Sequence, residues 1–236
     1  MREADNIREI ERVIANSPLF FASSDASRST LHSSLFLMGF IFWPKSSRYV
    51  SERPAYLPTI CKRVGVFVDE DIENVRRIAN DYALDYIQLH GHESPDYIRA
   101  LRMTDGFPIN IRLIKAISVS GSDDVATHKQ YEGLVDYFLF DTKCPTVGGS
   151  GQQFDWSVLS AYNGNTPFLL SGGIGPDDAE LLTSPLGSAA LHSKDLSPLI
   201  SKHCIGIDLN SRFELAPGIK DINKLRTFLN AINNGK

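Results

Sequence analysis

The sequence has few cysteines, no long apolar run and no surplus of basic residues, and each absence excludes a class of protein. The three cysteines, Cys61, Cys144 and Cys204, are too few and too scattered for a disulfide framework or a zinc site. No apolar run approaches the roughly 20 residues that span a bilayer. The 236 residues carry 24 basic and 28 acidic side chains, and no basic cluster indicates nucleic-acid binding. We therefore expect a soluble, cytoplasmic protein without membrane or nucleic-acid partners.

Short apolar and β-branched runs alternate with helical patterns along the chain. Runs that are apolar on both faces are typical of parallel strands covered by helices. A single domain over residues 1–236, of the α/β class with a (β/α)8 TIM-barrel architecture that uses about 250 residues, fits this alternation best. A doubly wound open sheet is the alternative, but no G-x-G-x-x-G motif follows an early strand. The seven predicted strands are residues 35–42, 64–68, 85–89, 112–117, 137–140, 168–170 and 204–207.

Several helical segments have recognisable first turns. Acidic residues at 69–71 precede an apolar pattern at helical spacing. Ser94 and Pro95 are the residue types preferred at the N-cap and at the first helical position. Pro176 opens a further helix, and Asp221 precedes an amphipathic closing helix. Each predicted strand is thus followed by a helix or a helix-compatible segment.

Two stretches do not follow this alternation. Residues 17–34 are rich in serine and weakly patterned, which indicates a flexible connection or a local insertion. Residues 186–203 precede the last strand, and we predict a poorly marked helix within them.

Small residues follow the last two predicted strands, where barrels commonly bind phosphate. Gly172 and Gly173 follow one strand, and glycines let the backbone approach a ligand closely. The helix beyond offers free N–H groups to an anion. Asn210 and Ser211 follow the last strand and can add donors. The pattern predicts a phosphate site, with a simple tight turn at the glycines as the alternative.

Three polar side chains follow other strands and are candidates for chemistry, because barrel active sites lie at the carboxyl ends of strands. Asp141 directly follows an apolar strand, and partial burial suits it to general-acid catalysis, although a turn aspartate is the alternative. His90 either holds a substrate or serves a backbone carbonyl. Arg48 either meets a carboxylate or is solvated. Glycines at 148–151 suit a loop that closes over a ligand.

The remaining polar candidates have ordinary interpretations. We expect His92, Glu93 and His128 to lie on the surface. Cys61 and Cys144 lack a partner pattern of histidine and aspartate, so we expect neither to be a nucleophile.

In combination, the motifs resemble those of the phosphoribosylanthranilate isomerase family. The resemblance runs in order from about residue 35 to the end of the chain, and the combination is highly specific. The matching segments are GFIF at 39–42, PKSSRYV at 44–50, VGVFV at 64–68, IQLHG at 87–91, FDTK at 140–143, GGSG at 148–151, LSGGI at 170–174, and Asp208 with the following Glu214 and Lys220.

The resemblance implies an Amadori rearrangement in tryptophan biosynthesis that needs no cofactor and no metal. A phosphorylated aminoaldose of anthranilate becomes an aminoketose phosphate, and we expect a monomer or a homodimer to act on this small molecule. Asp141 matches the family's general acid, which protonates the ring oxygen. Arg48 matches the residue that faces the anthranilate carboxylate, and His90 and Asp208 match polar residues lining the mouth. The family's phosphate-binding positions correspond to Gly172, Gly173, Asn210 and Ser211.

The beginning of the chain departs from the family pattern. Family members open with a first strand that ends in Lys-(Ile/Val)-Cys-Gly, and Met1 aligns just after that motif. We therefore expect the strand to be missing, together with the cysteine that serves as the general base in the family. Loss of such a group commonly lowers the rate by about 10²–10⁴-fold, so we expect low turnover.

Two alternatives remain at this stage. One is another phosphosugar barrel, such as indole-glycerol-phosphate synthase, which needs a lysine acid and a glutamate base. Lys115 lies in a predicted strand, but no comparable glutamate accompanies it. The other is a phosphate-binding barrel without catalysis, a pseudoenzyme or a scaffold.

Overall fold

The computed structural model describes residues 1–17, 35–108, 110–143, 153–179, 182 and 203–234. Four predicted features lie wholly or almost wholly outside these residues. They are the glycine-rich loop at 148–151, Cys144, and nearly all of the stretches 17–34 and 186–203.

The centre of the fold is a parallel sheet whose seven strands are hydrogen-bonded in chain order. All seven strands predicted from the sequence are confirmed. They are β1 (Leu37–Ile41), β2 (Lys62–Phe67), β3 (Tyr86–Leu89), β4 (Arg112–Val119), β5 (Tyr137–Thr142), β6 (Phe168–Leu170) and β7 (Cys204–Ile207).

The sheet is an open arc within the described residues, since β1 and β7 each pair with one neighbour there. Of the eight strands expected for a barrel, the described residues therefore contain seven. The amino group of Met1 donates a hydrogen bond of 2.5 Å to the carbonyl oxygen of Gly39, so the start of the chain lies against β1. A two-stranded antiparallel hairpin, which the sequence did not predict, follows β7 and is formed by β8 (Glu214–Ala216) and β9 (Ile219–Lys220).

Helices cover the outside of the sheet and begin where the sequence predicts. Asp71 Oδ1 accepts hydrogen bonds from two backbone N–H groups of the first turn, and Ser94 Oγ accepts one from Tyr97 N at 3.1 Å. Asp221 Oδ1 caps the closing helix in the same way. The helices are α1 (Ala4–Ala15), α2 (Ile72–Asp81), α3 (Pro95–Met103), α4 (Ser122–Ala126) and α5 (Ile222–Asn234). No helix in the described part of the chain is long and apolar enough to cross a bilayer.

The expectation of a helix or helix-compatible segment after every strand is wrong after β1. The segment between β1 and β2 contains turns and no helix, because Pro44, Pro54 and Pro58 interrupt any run of helical hydrogen bonds. Pro176–Asp178 form a 3-10 turn, and Ala179 and Leu182 beyond it are helical, so the predicted helix start after β6 is seen within the described residues.

Both faces of the sheet are buried, as the apolar runs predict. A large outer core between sheet and helices includes Phe40, Phe138 and Phe140, all fully buried. A smaller inner cluster fills the concave face, and its buried members are Val64, Tyr86, Ile114, Ala116 and Leu139. Because side chains alternate along a strand, the inner cluster fixes which later residues point into the mouth of the arc.

Candidate active site

Three polar side chains reach the mouth of the arc by strand alternation. Leu139 belongs to the inner cluster and Leu169 packs against it. Asp141 and Ser171 lie two residues further along β5 and directly after β6, so both side chains point to the same inner side. His90 reaches this side from the end of β3. The fold therefore brings together His90, Asp141 and Ser171, although Asp141 follows His90 by 51 positions and Ser171 follows Asp141 by 30.

His90 directs a hydrogen at Asp141. Its Nε2 lies 3.4 Å from Asp141 Oδ2, and the two side chains are 13% and 16% exposed. The amide nitrogen of Gln88 lies 2.7 Å from His90 Nδ1. Because an amide nitrogen only donates, Nδ1 accepts this bond, and the hydrogen of the ring lies on Nε2. The contact brings His90 next to Asp141, and its predicted contact with a substrate stays a prediction.

Asp141 shares a bridging hydroxyl with Asp208. Ser171 Oγ lies 3.2 Å from Asp141 Oδ1 and 3.0 Å from Asp208 Oδ2. The backbone N–H of Thr142 also donates to Asp141 Oδ1 at 2.9 Å. Burial raises the pKa of Asp208, and the negative charge of Asp141 adds to this, although Lys220 opposes it.

Arg48 binds a carboxylate of the protein itself. Its Nε lies 2.9 Å and its Nη2 2.7 Å from Glu214 Oε2, and both side chains are largely buried. Burial acts to raise the pKa of Glu214, but hydrogen bonds from Arg48 and the charge of Lys220 outweigh it, and the pKa is lowered. The alternative of a solvated loop arginine is therefore wrong.

Lys220 connects this ion pair to the loop after β7. Its Nζ lies 3.5 Å from Glu214 Oε1 and donates hydrogen bonds to the carbonyl oxygen of Asn210 at 3.1 Å and to Asn210 Oδ1 at 3.2 Å. Burial lowers the pKa of Lys220, opposed by the charges of Glu214 and Asp208. A buried cation thus lies between two carboxyl groups whose pKa values shift in opposite directions.

The predicted phosphate-binding residues lie on two adjoining loops. Gly172 and Gly173 have φ angles of 89° and 69°, a conformation that favours glycine. A Cβ at Gly172 would lie 2.3 Å from Thr142 Oγ1. Arg212 Nη1 donates to the carbonyl oxygen of Gly173 at 3.0 Å and ties the two loops together. Asn210 and Ser211 follow β7, next to β6 in the sheet, and Ser211 begins a 3-10 turn.

Two residues that the sequence placed on the surface are buried. Glu93 is 4% exposed and its Oε2 binds Lys115 Nζ at 3.0 Å. Lys115 also donates to the carbonyl oxygen of Gly91 at 2.7 Å, beside His90. His128 is 1% exposed and its Nδ1 bonds the carbonyl oxygen of Val125 at 2.8 Å. Both predictions fail because the loop that holds Glu93 and the 3-10 helix Thr127–Gln130 that holds His128 turn these side chains inward.

The two cysteines in the described part of the chain have raised pKa values. Burial and the charge of Glu11 raise the pKa of the Cys61 thiol to about 12, and burial raises that of Cys204. Neither thiol is activated as a nucleophile in this state. The described residues contain no group of three or more side chains suited to hold a metal ion.

Comparison with known proteins decides the family. The chain matches the N-(5'phosphoribosyl)anthranilate (PRA) isomerase family over residues 23–231. The N-(5'-phosphoribosyl)anthranilate isomerase of Phocaeicola vulgatus is 42% identical over 234 residues, which cover 98% of this chain and 94% of that protein. The chain belongs to the N-(5'-phosphoribosyl)anthranilate isomerase family. The predicted enzyme class, an isomerase of tryptophan biosynthesis, is confirmed at the level of this family.

Solved structures of the isomerase family share the fold. The phosphoribosyl anthranilate isomerase of Thermus thermophilus aligns over 100% of both chains with a TM-score of 0.68 at 22% identity. A second isomerase, solved in complex with reduced 1-(o-carboxyphenylamino)-1-deoxyribulose 5-phosphate, has a TM-score of 0.59 and 26% identity over 84% of this chain and 87% of that chain. The predicted α/β fold of TIM-barrel type is confirmed, and the loss of a first strand stays a prediction.

Sequence reasoning missed four residues that shape this isomerase-family site. Gln88 and Ser171 could have been found by alternation, since each is two positions from a residue already placed on the inner face. Glu214 and Lys220 were part of the family pattern, but no role was assigned to them. Their contacts with Arg48 and Asn210 cross loops, so spacing alone gives no signal.

Proposed function

We propose that this chain isomerises N-(5'-phosphoribosyl)anthranilate to the aminoketose phosphate by an Amadori rearrangement in L-tryptophan biosynthesis. The observation that carries the proposal is the position of Asp141, a carboxyl group at the mouth of the arc whose Oδ1 accepts two hydrogen bonds and whose Oδ2 lies 3.4 Å from His90 Nε2. Membership of the isomerase family supports the same reaction. Ring opening requires a proton donor, a carboxylate clamp and a phosphate site, and the chain has a candidate for each.

Asp141 is the proposed general acid. It protonates the ring oxygen of the sugar, which breaks the ring C–O bond and gives an open-chain iminium ion, a protonated imine, at the anthranilate nitrogen. The anion left on Asp141 is stabilised by the N–H of Thr142 at 2.9 Å, by Ser171 Oγ at 3.2 Å and by the Nε2 hydrogen of His90. Such positioned acids commonly contribute about 10²–10⁴-fold in rate.

Arg48 is the proposed partner of the anthranilate carboxylate. Glu214 engages Nε and Nη2 of its guanidinium, and as far as the described residues go, this leaves Nη1 for a second carboxylate. The ion pair with Glu214 also fixes the plane of the guanidinium group. A fixed planar donor suits the planar carboxylate of a rigid aromatic ring.

The loops after β6 and β7 are the proposed phosphate site. Gly172 and Gly173 allow the phosphate close to the backbone, and Asn210 and Ser211 supply the facing edge of the site. The bond from Arg212 to Gly173 holds the loops at a fixed separation. Asp208 and His90 are proposed to contact the sugar between these two anion sites.

The alternative synthase reaction has less support. Its lysine acid would be Lys115, but this side chain is 4% exposed and donates to Glu93 and to the carbonyl oxygens of Leu89 and Gly91. A buried ammonium with three acceptors has no proton to offer a substrate in the mouth. The arrangement favours the isomerase.

Turnover of phosphoribosylanthranilate tests the proposal, followed as loss of its fluorescence. The unaltered chain should consume the substrate, and Asp141→Asn should abolish this loss. Asp105→Asn, the same substitution at an exposed site before β4, should leave turnover unchanged. Analogue binding without turnover would instead favour a non-catalytic phosphate-binding barrel. The relatives do not support impaired turnover, because they align over 98% of the chain, and slow turnover stays a prediction that this assay tests.

A further inference from the structure

Ser171 connects two carboxyl groups from neighbouring strands. The N–H of Ser171 donates to the carbonyl oxygen of Phe140 at 2.8 Å, and the N–H of Asp208 donates to that of Leu170 at 2.8 Å. These sheet hydrogen bonds hold Asp141, Ser171 and Asp208 in register at the ends of β5, β6 and β7. Ser171 is 4% exposed, so its hydroxyl bonds protein groups in place of water.

The two contacts of this hydroxyl need two hydrogens. Ser171 Oγ lies 3.2 Å from one carboxyl oxygen and 3.0 Å from the other, both hydrogen-bonding distances. A serine hydroxyl has one hydrogen. If Asp141 and Asp208 were both ionised, one contact would place two oxygen lone pairs against each other in a buried site. Both contacts can be hydrogen bonds when one carboxyl group is protonated. Its O–H then donates to Ser171 Oγ, and the hydroxyl of Ser171 donates to the other carboxyl group.

The surroundings assign that proton to Asp208. Asp141 Oδ1 accepts a hydrogen bond from the backbone N–H of Thr142, and its Oδ2 lies 3.4 Å from His90 Nε2, so two groups other than Ser171 already face this carboxyl group. Within the described residues, the charged or titratable groups that face Asp208 are Lys220 from β9, Asp141 from β5 and His90 after β3. Burial and the charge of Asp141 raise the pKa of Asp208 despite Lys220.

We propose that Ser171 is a positioning residue that passes a proton from Asp208 to Asp141, so that Asp208 is the proton reserve of the general acid. In the step, the O–H bond of Asp208 breaks as its proton bonds to Ser171 Oγ. The hydroxyl proton of Ser171 bonds to Asp141 Oδ1 at the same time. Two O–H bonds break, two form, and the net charge is unchanged. Lys220 then faces an ionised Asp208 and stabilises it.

The use of this proton in ring opening rests on the proposed function. The hydrogen bond from protonated Asp208 to Ser171, by contrast, is a property of the free protein. The first experiment therefore titrates the free protein. Aspartate labelled with carbon-13 at the side-chain carboxyl is followed by NMR against pH, and the two signals are assigned with Asp141→Asn and Asp208→Asn.

Ser171→Ala gives opposite results for a bridge and for a simple donor. If Ser171 Oγ accepts a hydrogen bond from protonated Asp208, removing the hydroxyl destabilises the protonated acid and lowers the pKa of Asp208. If Ser171 only donates to an ionised Asp208, its loss raises that pKa. We expect the pKa of Asp208 to fall and that of Asp141 to rise, with both restored in Ser171→Thr. An unchanged or raised pKa of Asp208 in Ser171→Ala would overturn the proposal.

A control at the other end of β6 removes a similar hydroxyl. Thr166 Oγ1 donates to Glu132 Oε2 at 2.6 Å, so Thr166→Val breaks a hydroxyl–carboxylate bond before the strand begins. This variant should leave both aspartate titrations unchanged. Movement of the two signals in Thr166→Val as large as in Ser171→Ala would assign the effect to packing and refute the bridge.

Kinetics supply the second arm. Ser171→Ala should lower kcat by about 10²-fold with little change in KM, because the hydroxyl acts through Asp141 and away from the substrate. Ser171→Thr should recover most of the loss. An unchanged kcat in Ser171→Ala would refute the relay in catalysis. If the unaltered chain has no turnover, the proposed function fails, and the titration still decides whether the proton is shared.

Discussion

Replacing Glu214 with glutamine should destabilise the protein strongly, because it removes a carboxylate that two buried cations bind. Glu214 accepts from Arg48 Nε and Nη2 at 2.7–3.0 Å and lies 3.5 Å from Lys220 Nζ. The side chains of Arg48, Glu214 and Lys220 are 11%, 5% and 12% exposed. Glutamine keeps the volume but offers one acceptor oxygen, and its amide N–H groups would face the donors of Arg48.

The size of the effect follows from burial. Removing one member of a buried ion pair leaves an uncompensated charge and typically costs about 3–5 kcal/mol. At about 2–4 °C per kcal/mol for a chain of this size, the melting temperature should fall by about 10 °C. The KM for substrate should also rise, because Arg48 loses the bonds that fix its guanidinium plane.

Urea unfolding, followed by tryptophan fluorescence, measures the loss of unfolding free energy. An exposed ion pair serves as the control. Asp81 binds Arg77 at 3.0 Å on α2, and these side chains are 53% and 62% exposed. Asp81→Asn should cost less than about 0.5 kcal/mol, and the cost should shrink further in salt. If Glu214→Gln is no more destabilising than Asp81→Asn, the reasoning that Glu214 compensates buried charge is refuted.

Three further predictions concern other parts of the site. Gly172→Ala should lower the unfolding free energy, measured by urea unfolding, more than Gly133→Ala does. Both glycines have a left-handed backbone, which costs alanine about 1–2 kcal/mol, but a Cβ at Gly172 also overlaps Thr142 Oγ1. Lys115→Met should cost about 3–5 kcal/mol in the same assay, and adding Glu93→Gln should recover most of it, since both buried charges are then gone. The native pKa of Asp208 is raised, so stability falls as pH rises from the unfolded value of about 3.9 through the native pKa. Asp208→Asn should therefore gain stability relative to the unaltered chain at pH 7 but not at pH 3, as measured by unfolding at both pH values.

Strands and helix starts could be predicted because their signals are local. The run at residues 137–140 is apolar on both faces, and this pattern is typical of a strand that is buried on both sides. Ser94 and Asp221 cap helices with their own side chains, so the residue type and the following pattern suffice. The position of Asp141 follows from the same strand, because the next inward position after Leu139 lies at the carboxyl end.

Partners across the fold could not be predicted, because nothing local specifies them. Glu214 and Arg48 are 166 positions apart and meet only after the hairpin folds back over the first loop. Glu93 is in a loop and has no apolar neighbours to indicate burial. A signal was present in its partner, since a lone lysine inside the apolar strand around Lys115 must find an acceptor when the strand is buried.

The two carboxyl groups near Lys220 take different forms because their other neighbours differ. Glu214 also has Arg48, whose guanidinium binds it through two nitrogens, and its pKa is lowered. Asp208 has the negative charge of Asp141 nearby, and its pKa is raised. One buried lysine cannot fully compensate two carboxylates, so the pKa of the group with the second cation is lowered and that of the other is raised. A pair of carboxyl groups with separated pKa values is typical of acid–base sites, and here the separation depends on the arginine proposed to bind the substrate.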